Sequence, residues 1–305
     1  VKISYVLLLL GVISVAAGCS RSTRLTYPFP KHSVSAAVDI IPGFYFVAGK
    51  NGGTITNAEL KAALRWADVI LIGETHDSQS DHDLQARLLE YVHSIHPGET
   101  ALAMEQLERN EQPLIAKYLA GEISKDEFID ETNSRNWGGE NSWEKFYHPM
   151  IDFAKKHQLS VIGANTPRTY TKMAWKEGYK KLETLPAEEQ ALFDFPVDTR
   201  DRKYRKRFNA VMKEHGGEMT KQQMSDMYRS QKLWDATMAQ SILNAWSPGA
   251  KVVHLVGRFH IEHDGGLVLQ LAARNPELKI LTILPAQPDK PFENAADLIA
   301  YKDDS

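Results

Sequence analysis

Val69-Ile-Leu-Ile-Gly73-Glu74-Thr75-His76 and Val252-Val-His-Leu-Val-Gly257-Arg258-Phe259-His260 are one phrase written twice. Each is an apolar run, then a glycine, then a histidine three residues on. A run without polar alternation reads as a strand buried on both faces, as in a parallel sheet covered by helices. The carboxyl ends of such strands gather along one edge, where ligands bind. Two histidines delivered this way predict one shared pocket.

Working outward, Gly43–Ala48, Ala101–Glu105, Ser160–Ala164 and Lys279–Leu284 read as further strands beside Asp68–Gly73 and Lys251–Val256. Helical spacing fills the gaps. Asn57 to Trp66, a segment opened by Asp81, Glu144–His157 and His263–Arg274 all carry apolar positions on one face. Alternating strands and helices predict an α/β fold with a mostly parallel sheet flanked by helices. Two stretches depart from the alternation. About residues 111–134 and 167–246 show helical patterns without strands, and Thr220–Ala245 reads as one long helix. The expectation is a helical lobe over the strand carboxyl ends, roofing a pocket.

Polar residues at the predicted strand ends supply the pocket's chemistry. Glu74 and His76 follow one strand, Glu105 ends another, Asn165 and Arg168 follow a third, and His260 follows a fourth. Carboxylates and imidazoles brought together suit acid–base work or a divalent metal. A single histidine after a strand is more often a hydrogen-bonded structural residue. The repetition, with Glu105 ending an apolar strand, favours a site.

The ends and composition bound the setting. Residues 1–18 read as a signal peptide, and Cys19 stands after Ala-Ala-Gly where a lipoprotein signal places its acylated cysteine. Cys19 is the single cysteine, so disulfides and thiolate metal sites are not expected. Residues 19–38 read as a polar tether, 39–285 as the folded domain and 286–305 as a polar tail. A net charge of −3 points away from nucleic acid. The basic run from Arg200 to Arg207 reads as a solvated helix face.

The motifs taken in order resemble a known family. Gly73-Glu-Thr-His76 with Asp77 and His82, Ala103-Met-Glu105, Trp143…Tyr147-His-Pro149, Asn165-Thr-Pro-Arg168, Gln231…Trp234-Asp235…Met238-Ala239 and Gly257-Arg-Phe-His260 are similar to ChaN-type haem-binding lipoproteins. These belong to a superfamily with the Tiki proteases and erythromycin-esterase-like proteins. The resemblance implies a palmitate-bearing outer-membrane lipoprotein of haem and iron uptake. It also implies ferric haem held without covalent attachment by a tyrosine, a homodimer on loading, and an outer-membrane haem receptor as partner. No Cys-x-x-Cys-His is present for covalent attachment. Tyr147 and Tyr228 are equal candidates for the iron ligand, with His215 as helper. Tyr204 sits among basic residues that could meet haem propionates.

Two other readings remain. Glu74, His76, Glu105 and His260, with Arg168 stabilising negative charge, could form a hydrolase, with or without a metal. The chain could instead be an envelope interaction protein, its polar tail serving as the handle.

Overall fold

The computed structural model describes residues 24–30, 41–215, 219–287 and 294–303, with the backbone alone at 215. The expected signal peptide and Cys19 lie outside the described residues.

The chain opens with the hairpin β1 (Phe44–Ala48) and β2 (Thr54–Ile55), then α1 (Asn57–Trp66), β3 (Val69–Glu74), α2 (Gln79–Ile95) and β4 (Thr100–Glu108). Next come α3 (Gln112–Ala120), α4 (Lys125–Glu131), α5 (Ser142–Phe146), α6 (His148–Lys156) and β5 (Ser160–Asn165). A helical stretch follows: α7 (Arg168–Glu177), α8 (Tyr179–Leu182), α9 (Ala187–Gln190), α10 (Arg202–His215) and α11 (Lys221–Ala245). The chain closes with β6 (Lys251–Gly257), α12 (Gly266–Arg274), β7 (Ile280–Pro285) and β8 (Leu298–Lys302).

The strands form one sheet in the order β2-β1-β8-β7-β3-β6-β4-β5. Neighbours from β8 to β5 are all parallel, and β1 and β2 add an antiparallel margin. The two written-twice runs, β3 and β6, lie side by side at its centre, with Glu74 in register with Gly257. Their largely apolar character follows from burial on both faces. Ile70, Ile72, Leu102 and Leu255 pack against α1, α2, α5 and α6, while Val69, Leu71, Ala103 and Val256 pack against α11 and α12.

Helix starts follow from capping. Thr56, one residue before the expected Asn57, caps α1 in a reciprocal arrangement with Glu59. Ser78 caps α2 through the Asp81 amide. His263 and Asp264 have φ of 54° and 53°, so the last helix begins at Gly266 and not at His263. Thr220 and Gln223 form the box that starts α11, a rod about 38 Å long. Its C-terminal half lies on the sheet through Met238, Ala239 and Ile242. Its N-terminal half stands clear and carries α7 and α10 through Leu233, Met224 and Tyr228.

Three placements differ from the sequence reading. Residues 111–134 do not roof the strand ends: Ile115, Tyr118, Phe128 and Ile129 join the core on one face of the sheet. The roof is α7, α10 and the first half of α11. The polar tail expected from 286 includes β8, buried at Leu298 to Ala300 and inserted between β1 and β7. Part of the expected tether is docked. Arg24, its side chain 10% exposed, pairs with Asp297 at 2.9 Å and Asp264 at 2.8 Å, while Tyr27 and Phe29 pack near Trp66.

Gly73 is where the central strand has no room. A Cβ there would stand 2.3 Å from Leu284 Cδ2 and 3.2 Å from Arg258 Cα. Gly73→Ala is therefore expected to cost about 1–3 kcal/mol by overpacking. A urea melt of the variant checks this, and an unchanged midpoint would show that the strand can shift.

Candidate functional site

Alternation along β3 and β4 sends the polar residues at their ends to opposite faces of the sheet. Glu74 and Gln106 point toward α2 and α5, and Glu105 points toward α11. The register of β4 against β5 shifts between Met104 and Glu108, a bulge of the kind that re-aims side chains at strand ends. Two polar networks result, one on each face, meeting at the carboxyl edge of the sheet.

The first network centres on Glu74, which is buried. Its Oε1 accepts from His76 Nδ1 at 2.8 Å, Gln106 Nε2 at 3.0 Å and the Tyr147 hydroxyl at 3.0 Å. His82 Nδ1 lies 3.2 Å from Oε2, and His82 Nε2 meets the His76 carbonyl at 3.1 Å. Asp81 accepts from the Thr75 amide at 2.8 Å and holds the turn that carries His76. Glu74 accepts from Nδ1, and the His76 side chain lines the cavity. The side chain is 48% exposed and its ring meets Trp137 edge-on at 4.8 Å. Burial lowers its pKa, but the Glu74 hydrogen bond and the charges of Glu105 and Glu74 outweigh that, so the net shift is upward.

The second network centres on His260, which is buried between two carboxylates. Nδ1 lies 2.6 Å from Asp235 Oδ1, and Nε2 lies 3.4 Å from Glu105 Oε1. Asp235 also accepts from the Tyr204 hydroxyl at 2.9 Å, and Gln231 Nε2 donates to that hydroxyl at 2.9 Å. Burial opposes the charge on His260, yet Glu105 and Asp235 raise its pKa to about 10. Burial likewise opposes the charge on Glu105, but His260, His76 and the Gly257 amide hold it at about 2. On Asp235 burial wins, and its pKa is raised. Of the two carboxylates that share His260, Glu105 is the more firmly ionised.

Gly257 lets the two networks approach. A Cβ there would sit 3.0 Å from His76 Cε1 and 3.4 Å from Glu105 Oε2, and the Gly257 amide donates to Glu105 Oε2 at 2.6 Å. This explains the glycine three residues before His260. The one before His76, Gly73, is required by packing.

Above the edge is a cavity of about 600 Å³, within the ~300–1,000 Å³ range of small-molecule and cofactor sites. His76, Glu105, Asn165 and His260 form its floor, and Arg168 and Lys172 of α7 lie at its rim. Its walls are apolar, with Trp137, Trp175, Trp234, Phe208, Met212 and Met227. The structure thus brings His76, Glu105, His260 and Arg168 to one cavity, with Glu74 directly beneath His76.

The expected haem-ligand tyrosines are elsewhere. Tyr147 is 0% exposed and donates to Glu74, Tyr204 donates to Asp235, and Tyr228 donates to Asp201 at 3.0 Å. None of the three lines the cavity. Burial and a neighbouring carboxylate raise the pKa of all three phenols, which works against the tyrosinate form. His215 ends α10, and its side chain lies outside the described residues. Of the basic residues around Tyr204 that could meet propionates, Arg207 pairs with Glu262 at 2.6 Å. Among the described residues no three of His, Cys, Asp and Glu are grouped to hold a metal ion. The carboxylates and imidazoles are paired with one another.

Sequence reading gave no role to Asp235, Gln231 or the three tryptophans. Gln231, Trp234 and Asp235 stand at helical spacing on α11, which was the available signal.

The fold matches known structures. ChaN of Campylobacter jejuni, described with cofacial haem binding, superposes with a TM-score of 0.67 at 19% identity, over 84% of this chain and 96% of that one. An erythromycin esterase, EreC, in its open conformation is more distant, with a TM-score of 0.42 at 11% identity over 76% of each chain. A toxin effector domain of Vibrio vulnificus gives 0.42 at 15% identity, over 81% of this chain and 37% of that one. No curated protein shows a significant sequence match. The model of the haem-binding uptake family of the Tiki superfamily, ChaN, matches residues 60–271, more than half of the chain. The chain therefore belongs to the ChaN family of haem-binding uptake proteins.

Proposed function

We propose that the chain carries ferric haem, bound without a covalent link in the cavity at the sheet edge. One observation supports this most. An apolar, tryptophan-walled cavity has cations at its rim and a single half-exposed imidazole on its floor. The residues fit the group. Trp137, Trp175 and Trp234 offer flat apolar surface to a macrocycle, and Arg168 and Lys172 offer charge to its propionates. His76 Nε2 offers a nitrogen to iron, with Nδ1 fixed by Glu74 as metal-bound histidines usually are. Bound haem would be cargo: the chain holds and shields the iron.

The tyrosine ligation that the family resemblance implies requires Tyr147 or Tyr228 to leave its carboxylate and turn toward the cavity. His76 needs no such movement. Cofacial binding, described for the Campylobacter protein, carries over here as two copies meeting over the open rim, where Trp175 is 42% exposed. A lipid anchor at Cys19, an outer-membrane location and a haem receptor as partner complete the reading. The anchor and location are supported by the order of residues 1–19, and the receptor partner by the family resemblance of the motifs.

Haemin titration followed by sizing tests it. The wild type is expected to saturate with a Soret band and to elute as a dimer. His76→Ala is expected to shift the band and weaken binding at least as much as loss of a ligand's supporting partner, about 10–100-fold. Tyr147→Phe and Tyr228→Phe are expected to leave the band in place. A band moved by either Phe variant alone would assign the iron to that tyrosine. Failure of the wild type to saturate would end the haem reading.

A second reading is favoured by the paired networks. His76, oriented by Glu74, is placed to take a proton from water, and Arg168 could stabilise developing negative charge. Ester or amide hydrolysis lost in His76→Ala, in a chain that does not bind haemin, would select this reading.

A further inference from the structure

The helix that walls the cavity has a second face. Tyr204 and Phe208 of α10 are buried against Tyr228 and Phe259, and Phe208 and Met212 reach the cavity. Arg202, Arg205, Lys206, Asn209, Ala210 and Lys213 instead line a surface groove of about 480 Å³. Their spacing of three, four and seven residues makes one stripe along the helix. From Arg202 to Lys213 it runs about 17 Å.

Among the described residues, no carboxylate lies within ion-pair distance of Arg202, Arg205, Lys206 or Lys213. Arg205 rests 5.5 Å from the Tyr228 ring and reaches Ser225 Oγ at 3.4 Å. Glu214 follows Lys213 on the same helix, and two other nearby carboxylates are engaged elsewhere. Asp201 serves Tyr228 and Lys232, and Glu262 takes Arg207, the basic residue that turns inward. In a chain of net charge −3, four such cations in a row form a local reversal of sign.

We propose that this face of α10 lies on an anionic lipid surface. The geometry separates that partner from a small anion. A lone phosphate is held by donors converging on a point, whereas these cations are spread along a helix in an open row. A plane of phosphodiester headgroups presents charge over the same length. Each Lys or Arg brought to such a surface strengthens partitioning by about fivefold, ~1 kcal/mol. Because the opposite face of α10 walls the cavity, docking would set the cavity beside the bilayer. The inference stands without the haem reading.

Vesicle sedimentation of the full chain tests it. The quantity read is the ratio of partitioning onto phosphatidylcholine vesicles containing phosphatidylglycerol to that onto phosphatidylcholine alone, so that any acyl anchor cancels. The wild-type ratio is expected to be high at low salt and to collapse toward one at 0.5 M salt. A variant carrying Arg202→Gln, Arg205→Gln, Lys206→Gln and Lys213→Gln is expected to lose more than 100-fold of it at unchanged circular dichroism. Lys156→Gln, Lys180→Gln and Lys181→Gln together, on other exposed helices, should leave it intact. The proposal is overturned by a quadruple variant that keeps the wild-type ratio. Loss of the ratio in the control variant overturns it too, as does displacement by millimolar tripolyphosphate beyond a salt control of equal ionic strength. That last outcome would mark a soluble-anion site.

Discussion

Asp235→Ala is expected to destabilise the protein by about 3–5 kcal/mol, the range for removing one partner of a buried ion pair. The change strips the acceptor 2.6 Å from His260 Nδ1 and leaves the Tyr204 hydroxyl facing the same void. His260 still has Glu105, but at 3.4 Å on one side only. Asp235→Asn keeps an acceptor and should lose less. The pH dependence follows from the sign of the His260 shift. Its folded pKa, about 10, lies above the ordinary histidine value of 6.5. Its contribution is therefore complete below about 6.5 and fades as pH rises toward 10. The wild type should lose stability through that window. In Asp235→Ala the window narrows, because the remaining carboxylate holds the proton less tightly. Urea unfolding at pH 6 and pH 9.5 measures both effects. A loss under 1 kcal/mol at pH 6 would mean that His260 is not held as a buried cation.

The networks explain why some of this molecule could be read from its sequence and some could not. The central strands were legible because burial on both faces leaves Val69–Ile72 apolar throughout and Val252–Val256 apolar but for the buried His254. The convergence of His76, Glu105 and His260 followed from parallel topology alone, since strand carboxyl ends share an edge. Asp235 was not legible as a site residue. It projects from the middle of a helix whose rotation about its axis is set by packing on α12 and β5, far away in sequence. The placement of the tyrosines was not legible for a related reason. Spacing shows that Tyr147 follows a helical segment but not that a bend between α5 and α6 turns it inward onto Glu74. Leu298–Lys302 was read as tail because five residues carry too little pattern. Its strand character comes from pairing with β1 and β7, next to the Asp297 carboxylate, which accepts from the Thr282 amide at 2.9 Å and pairs with Arg24.

Glu74→Gln separates a positioning role from a structural one. The amide keeps an oxygen for the Tyr147 hydroxyl and Gln106 Nε2, so the fold should survive the change. What is lost is the charge that fixes the Nδ1 proton of His76 and raises its pKa. Without it, burial and the repulsion of His260 act against Glu105 alone, and the His76 pKa falls. Two readouts follow if His76 Nε2 holds haem iron. Affinity at neutral pH should drop by about 10–100-fold, as for other partners of metal-bound histidines. The pH at which haem is released should move in the acid direction, because a proton competes less well for a less basic imidazole. A mere packing defect would weaken binding without moving the release pH. An unmoved release pH combined with an altered melting curve would therefore assign Glu74 to the core and leave the iron to another ligand. If affinity and release pH both stay at wild-type values, His76 is not the nitrogen that meets the iron.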